Sequence, residues 1–339
     1  MSDFSSANAS ILIADDNEVN LDLLSEILTS VGYHVMCVKS GDEAVSSAQS
    51  GLVDLILLDV IMPGTTGFSA CQQIKLNPKT RFIPVILITG LTDSNDRIHG
   101  IMCGADDFLN KPINKQELLA RVHSLLRLKS FTDELENAET VLFSLATSIE
   151  AKDPYTEGHC ERLSEYSVAL AERIGLPEDL RVALRRGGIV HDVGKVVVPE
   201  HILLKSGPLN DEEWVIMRQH PIVGEKICSP LKSFRLVVPI IRYHHEKLNG
   251  SGYPDGLIGD EIPITAKVLQ IVDVYDALTT DRPYRKALSP GETLVQMRSE
   301  VKRGWWDGAL VDELEGIVSE LEAPIVGSGS KNFRLKNQR

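Results

Sequence analysis

From Ile11 to about Leu126 short apolar runs alternate with segments of helical period, and that alternation confines the first third of the chain to very few folds. Ile11–Ala14, His34–Val38, Leu55–Leu58, Pro84–Ile88 and Asp107–Leu109 read as strands. Val19–Val31, Gly41–Ser50, Gly67–Leu76 and Asp93–Met102 read as helices, with a fifth starting at Asn114. A strand followed by a helix-length connection and another strand builds a parallel sheet, and a parallel sheet is covered on both faces. Ligands of such sheets gather beyond the carboxyl ends of the strands. The polar residues of this region lie there: Asp15 and Asp16 follow the first strand, Asp59 ends the third, Thr89 ends the fourth, and Lys111 with Pro112 follows the fifth. Three converging carboxylates repel one another unless a cation sits among them, and an oxygen-rich site suits Mg²⁺.

With those positions filled, the first third resembles a response-regulator receiver domain, a flavodoxin-like α/β fold with a five-stranded parallel sheet. The resemblance implies that Asp59 accepts a phosphoryl group from a sensor histidine kinase. It implies Mg²⁺ held by Asp15, Asp16, Asp59 and the backbone carbonyl of Ile61. Thr89 and Lys111 would contact the new phosphoryl oxygens, Lys111 through a charge-assisted pairing. Phe108 occupies the aromatic switch position, where many receivers carry tyrosine.

Between Lys115 and Lys152 there is neither glycine nor proline, so nothing in the sequence interrupts a long helix. Leu128, Phe131, Leu135, Ala138, Leu142, Leu145 and Ile149 recur at spacings of three and four, the period of a helix–helix seam. Such a seam pairs two copies of the chain or packs the helix on its own domain. The expectation here is a connector helix over 129–152 that forms a homodimer.

The second half carries a different chemistry. Six of the nine histidines fall between His159 and His245, a bias that scattered surface histidines do not produce. Two of them, His244 and His245, close an apolar segment just before the loop Asn249-Gly250-Ser251-Gly252-Tyr253-Pro254. Upstream, His191 and Asp192 follow the apolar run Ile189-Val190, and downstream Asp273 and Asp276 stand among Ile271, Val272, Val274 and Tyr275. Carboxylates in apolar runs are costly unless paired or bound to a cation. The absence of paired Cys-x-x-Cys spacing excludes a zinc-finger pattern, and several imidazoles with few carboxylates favour a transition metal over Mg²⁺ or Ca²⁺.

At these residues the chain from about Glu150 to Leu321 resembles an HD-GYP domain, the branch of the HD superfamily that hydrolyses cyclic dinucleotides. The motifs are Gly158-His159, His191-Asp192-x-Gly194-Lys195, His220-Pro221, His244-His245-Glu246, Gly252-Tyr253-Pro254, and Asp273-x-Tyr275-Asp276 followed by Arg282-Pro283-Tyr284. The resemblance implies two transition-metal ions (Fe, Mn, Ni or Zn), one held by His159, His191, Asp192 and Asp273 and the other by His220, His244 and His245, with Asp192 bridging. Tyr155 stands where three-metal members carry a ligating glutamate, which is why two ions are expected. Asp192 and Lys195 are the implied catalytic residues. Lys195, Tyr253, Arg282 and Arg285 are the implied substrate contacts, and Glu246 is expected to orient a histidine. Asn249 replaces an aspartate found in many members. The implied activity is hydrolysis of cyclic di-GMP to pGpG or GMP. Two alternatives stay open: a catalytically weak binding module acting through protein partners such as GGDEF-domain proteins, and an HD-type hydrolase of another cyclic dinucleotide or nucleotide.

The rest of this half reads as nearly all helix: Glu157–Arg173, Pro177–Val193, Asp211–Gln219, Phe234–His245, Ile264–Thr279, Gly291–Lys302 and Ala309–Leu321. Asn210 and Ser289 are expected N-caps. The resulting division is a disordered start over 1–9, a receiver over 10–128, the connector over 129–152, an HD-GYP domain over 153–325 and a disordered tail over 326–339. A net charge of −13 argues against DNA as a partner. Five scattered cysteines suggest no disulfide framework, and the polar start and the lack of a ~20-residue apolar run suggest a cytoplasmic protein without a membrane span.

Overall fold

The computed structural model describes residues 9–90, 94–152, 158–281 and 285–322. The expected disordered ends, apart from Ala9, lie outside the described residues, as do Tyr155 and Arg282. The chain divides into two units, Met1–Ala138 and Glu139–Arg339.

In the first unit strands β1 (Ser10–Ala14), β2 (His34–Val38), β3 (Leu55–Asp59), β4 (Val85–Thr89) and β5 (Asp107–Asn110) alternate with helices α1 (Glu18–Thr29), α2 (Gly41–Ala48), α3 (Gly67–Leu76) and α4 (Ser94–Met102). A long helix, α5 (Lys115–Glu150), follows β5. The sheet is parallel in the order β2-β1-β3-β4-β5, the expected fold class. Strands β3 and β4 are buried at every position, which explains their unbroken apolar sequence, whereas edge strand β2 leaves His34 and Cys37 exposed. Alternate side chains feed two cores. Leu12, Ile56 and Leu58 pack with Ala44, Ala70 and Ile74 on one face, and Ile11, Ile13, Leu55 and Leu57 pack with Leu24, Leu28, Leu118 and Val122 on the other. Each such buried side chain contributes roughly 1.5–3 kcal/mol, so the strand ends are held on a stiff platform.

The second unit is helical: α6 (His159–Arg173), α7 (Glu178–Val190), α8 (Glu200–Leu203), α9 (Asp211–Met217), α10 (His220–Cys228), α11 (Val238–Tyr243), α12 (Ile264–Thr279), α13 (Pro290–Val301) and α14 (Gly308–Glu322). Asn210 and Ser289 cap α9 and α13, each in a reciprocal capping box with the glutamate three residues on. Phe234, Leu163, Leu184, Ile240, Ile241, Val268 and Leu314 belong to one core.

Three expectations are corrected. The helix expected over Pro177–Val193 stops at Val190, and a tight 3-10 turn, Val193–Val197, follows. The helix expected over Phe234–His245 is α11 alone, preceded by the 3-10 turn Lys232–Phe234, because Pro239 has no N–H to donate and is tolerated only in the first turn. Helix α10 had no counterpart in the sequence reading, since Pro221 and Gly224 obscure its period.

The expected seam on α5 divides. Leu142 is buried and Ile149 partly buried in the helical core, where Ala146 and Phe143 join them, while Leu128, Phe131, Leu135 and Leu145 are exposed. No helix among the described residues is long and apolar enough to cross a membrane.

Candidate metal centre

Helices α6 and α7 lie so close that a Cβ on Gly188 would stand 2.6 Å from the Ser164 nitrogen, and this contact sets His159 at the start of α6 against His191 at the end of α7. Their ring centroids are 5.5 Å apart. A second close approach joins the 3-10 turn to α10: a Cβ on Gly194 would lie 1.9 Å from the His220 carbonyl oxygen. That approach brings His220, the first residue of α10, against Asp192. His244 and His245 enter from the end of α11, and Asp273 and Asp276 from α12.

The imidazoles are oriented before any ligand arrives. Nδ1 of His191 faces the Gly188 carbonyl at 3.1 Å, Nδ1 of His220 the Met217 carbonyl at 2.8 Å, and Nδ1 of His244 the Ile241 carbonyl at 2.8 Å. Nδ1 of His159 faces the Asp276 carboxylate at 2.7 Å. An Nδ1–H committed in this way leaves Nε2 as a lone-pair donor. These Nε2 atoms converge on carboxylates. Asp192 Oδ2 lies 3.3 Å from His191 Nε2, Asp192 Oδ1 lies 3.2 Å from His220 Nε2 and 3.8 Å from His244 Nε2, and Asp273 Oδ1 lies 3.5 Å from His159 Nε2. Two ligand-like groups result, His159, His191 and Asp192 on one side and Asp192, His220, His244 and His245 on the other. Asp192 belongs to both and turns one oxygen toward each.

The residues fit a metal pair. His191 Nε2 and Asp192 Oδ1 are buried without a hydrogen bond, a state that costs about 1–3 kcal/mol for each atom unless something else occupies it. Protonation agrees. Burial and the neighbouring imidazoles hold His244 and His245 well below the usual histidine range, so both are neutral and able to ligate. Burial opposes the charge on Asp192, yet Lys195, His191 and His220 together hold its carboxyl well below the ordinary value. The donor set, mostly nitrogen, is one that Fe, Mn, Ni or Zn accepts.

Around the ligands the sequence reading needs amendment. Lys195 does not stand one α-turn beyond His191. The 3-10 geometry instead places its ammonium 2.5 Å from Asp192 Oδ2. Glu246 orients no histidine; fully buried, it accepts the backbone N–H groups of Asp255, Gly256 and Leu257 and so pins the segment after Tyr253-Pro254. Asn249 serves the same loop, donating to the Arg303 carbonyl and accepting from Ser251, and the donation is one a carboxylate could not make. Arg285 donates to the Ala277 carbonyl at 2.5 Å near the end of α12. Tyr253 stacks on His245 with centroids 4.7 Å apart and planes 28° apart. Asp276, a carboxylate in an apolar run that needs a partner, has one: Arg162 holds it at 2.5 Å, and it in turn holds His159. Its signal in the sequence was a carboxylate one helical turn after Asp273, on the same face.

In the receiver unit the carboxylates of Asp15, Asp16 and Asp59 offer oxygens within 4.8 Å of one another. Lys111 Nζ sits between Asp15 and Asp59, 3.1 Å from each. Asn20 was not anticipated; its amide donates to both oxygens of Asp15. Burial raises the Asp59 carboxyl above the ordinary value, with Lys111 opposing. Thr89 is buried at the end of β4, Ile61 is exposed beyond β3, and Phe108 packs against Gly100.

A receiver sheet with an acidic pocket, followed by a helical unit built around a His/Asp cluster, defines a response regulator with an HD output domain. Residues 11–123 match the response regulator receiver domain family and residues 144–310 the HD domain family. The chain is 33% identical over 327 residues to the cyclic di-GMP phosphodiesterase response regulator RpfG of Xanthomonas campestris pv. campestris, covering 90% of this chain and 86% of that protein. It is 31% identical over 303 residues to a cyclic di-GMP phosphodiesterase of Thermotoga maritima, covering 81% of each. A third relative, the 3'3'-cGAMP-specific phosphodiesterase 3 of Vibrio cholerae serotype O1, is 36% identical over 163 residues, 48% of this chain and 35% of that protein. The chain belongs to the family of receiver–HD response regulators that includes RpfG.

Proposed function

We propose that this protein is a metal-dependent phosphodiesterase that hydrolyses cyclic di-GMP to pGpG or GMP under control of phosphorylation at Asp59. The observation that carries the reading is Asp192, a carboxylate with one oxygen toward each of two histidine groups. His159, His191, Asp192 and Asp273 would hold one ion and Asp192, His220, His244 and His245 the other. Bound divalent ions supply Lewis-acid activation of water and stabilise charge on phosphoryl oxygens. The chain's own groups do the rest. Asp276 and the backbone carbonyls fix the imidazoles, Lys195 is poised to bind a phosphate oxygen or give a proton to the departing 3′ oxygen, and Tyr253 walls the pocket beside His245. The test is the purified protein loaded with Mn²⁺ or Fe²⁺, incubated with cyclic di-GMP and followed by product chromatography. Intact substrate would favour the binding-module alternative. The likeness to a 3'3'-cGAMP-specific enzyme supports a second reading in which another cyclic dinucleotide is preferred, and side-by-side kcat/KM values separate the two.

Asp276 should matter to metal rather than to substrate. Exchanging Asp276→Asn removes the carboxylate that polarises His159 and breaks the Arg162–Asp276 ion pair, so metal affinity should fall about 10–100-fold in a competition titration with a chelating dye. An unchanged affinity would remove Asp276 from this scheme.

Control through the receiver rests on the pocket of Asp15, Asp16, Asp59 and Lys111, with Mg²⁺ as the expected ion, Thr89 and Phe108 as switch residues, and a sensor histidine kinase as the donor. Phosphorylation can act only if two states of the protein differ in free energy of interaction with the modified pocket. The exposed Leu128, Phe131 and Leu135 supply a seam on which a second copy could pair in one of them. Beryllofluoride should therefore change the hydrolysis rate or the mass in solution, and Asp59→Asn should abolish that response. Identical rates and light-scattering masses with and without beryllofluoride would count against this control.

A further inference from the structure

We propose that Arg218 grips the second, uncleaved phosphodiester of a cyclic dinucleotide, so that it sets the preference of the site for ring-closed substrates with two phosphates. The inference rests on the phosphodiesterase reading above and names a substrate contact that the sequence motifs do not contain. A cyclic dinucleotide with one phosphodiester at the His/Asp cluster must present the other across the ring, and a protein with a net charge of −13 needs a local cation to receive it. Most cations near the cluster are already engaged. Lys195 is on Asp192, Arg162 on Asp276, Arg242 on Asp255 and Glu225, and Arg285 on the Ala277 carbonyl.

Arg218 differs from all of these. It caps α9 two residues before His220, it is exposed, and its side chain has neither a carboxylate nor a hydrogen-bond partner among the described residues. Yet it is not left to wander. Its Cζ lies 5.6 Å from the Trp214 ring centroid and 5.6 Å from that of Tyr253, and Tyr253 stacks on His245. Contacts with two aromatic rings hold the guanidinium beside Tyr253 while its N–H donors have no oxygen acceptor among the described residues, which leaves the planar fork available to an oxyanion. The rings thus keep an unneutralised cation close to Tyr253, which itself stacks on a candidate metal ligand. An arginine serving only to pack Trp214 would fill the same volume but would not discriminate between substrates by phosphate count.

The experiment compares metal-loaded wild type, Arg218→Ala and Arg218→Lys on cyclic di-GMP and on bis(4-nitrophenyl) phosphate, which has a single phosphorus. Loss of a charge-assisted contact should raise KM for cyclic di-GMP about 10–100-fold with kcat altered by less than about threefold, the signature of lost binding shared by ground and transition states. The ratio of kcat/KM values, cyclic over simple diester, should fall by at least about tenfold. Lysine should restore part of the loss, since it keeps the charge without the fork. An unchanged KM, or an equal fall on both substrates, overturns the assignment. A wild-type protein that cleaves the simple diester and leaves cyclic di-GMP intact overturns the underlying substrate reading instead. Calorimetric titration of cyclic di-GMP then judges Arg218 separately, with equal affinities for wild type and Arg218→Ala counting against it.

Discussion

Replacing Asp192 with alanine is expected to lower cyclic di-GMP hydrolysis by on the order of a thousandfold, well beyond the 10–100-fold typical of a group that only supports a metal ligand. The size follows from position. Asp192 is the one carboxylate shared by both histidine groups, its oxygens 3.3 Å from His191 Nε2 and 3.2 Å from His220 Nε2. Without it five imidazoles gather with Asp273 and Asp276, both beside His159, as the nearby carboxylates among the described residues, and Lys195 loses its ion pair with Asp192. The same substitution should change metal content. Elemental analysis of wild type should give two transition-metal equivalents per chain, distinguished by element from Mg²⁺ in the receiver, and the variant should retain fewer than one. Three equivalents in wild type would defeat the two-ion arrangement. Full turnover by the variant would defeat the role of Asp192. Melting curves of the two metal-free proteins, compared side by side, separate a loss at the site from a loss of fold.

What could be read from residues alone differs between the two units for a physical reason. The parallel sheet announces itself, since β3 and β4 are buried on both faces and must be apolar throughout, and each carries its functional residue at the strand end. The ligand histidines were legible because they stand in short motifs, Gly158-His159, His191-Asp192-x-Gly194-Lys195, His220-Pro221 and His244-His245-Glu246. What failed was everything that depends on how helices meet. Helix α10 was invisible because its Pro221 and Gly224 serve a start and a close contact rather than a break. Leu142 and Leu145 are neighbours in one seam, yet only Leu142 enters a core, and spacing does not say which. Glu246 resembled a histidine partner by adjacency, but its side chain turns to three backbone N–H groups of a loop nine to eleven residues on. Arg218 drew no notice because its meaning lies in Trp214 and Tyr253, one a helical turn away and the other on a different segment.

Gly194→Ala should be the most damaging single methyl group that can be added to the helical unit. An ideal Cβ there stands 1.9 Å from the His220 carbonyl oxygen, 2.6 Å from the Gly224 nitrogen and 2.8 Å from the His220 carbonyl carbon. All three are backbone atoms, so no rotamer change relieves the clash, and the 3-10 turn must move away from α10 as a body. Overpacking of this kind costs about 3 kcal/mol or more. For a domain of this size that lowers the melting temperature by about 6–12 °C. The separation also opens the 3.2 Å gap between Asp192 Oδ1 and His220 Nε2, because the two residues ride on the two surfaces being forced apart. Metal affinity and hydrolysis should therefore fall together, each by about a hundredfold, even at temperatures where the unit remains folded. Gly207→Ala supplies the control, since nothing lies within 4 Å of a Cβ at that position, and it should melt and turn over like wild type. If Gly194→Ala behaves like Gly207→Ala in calorimetry and in metal titration, the contact between the 3-10 turn and α10 is not what builds the centre.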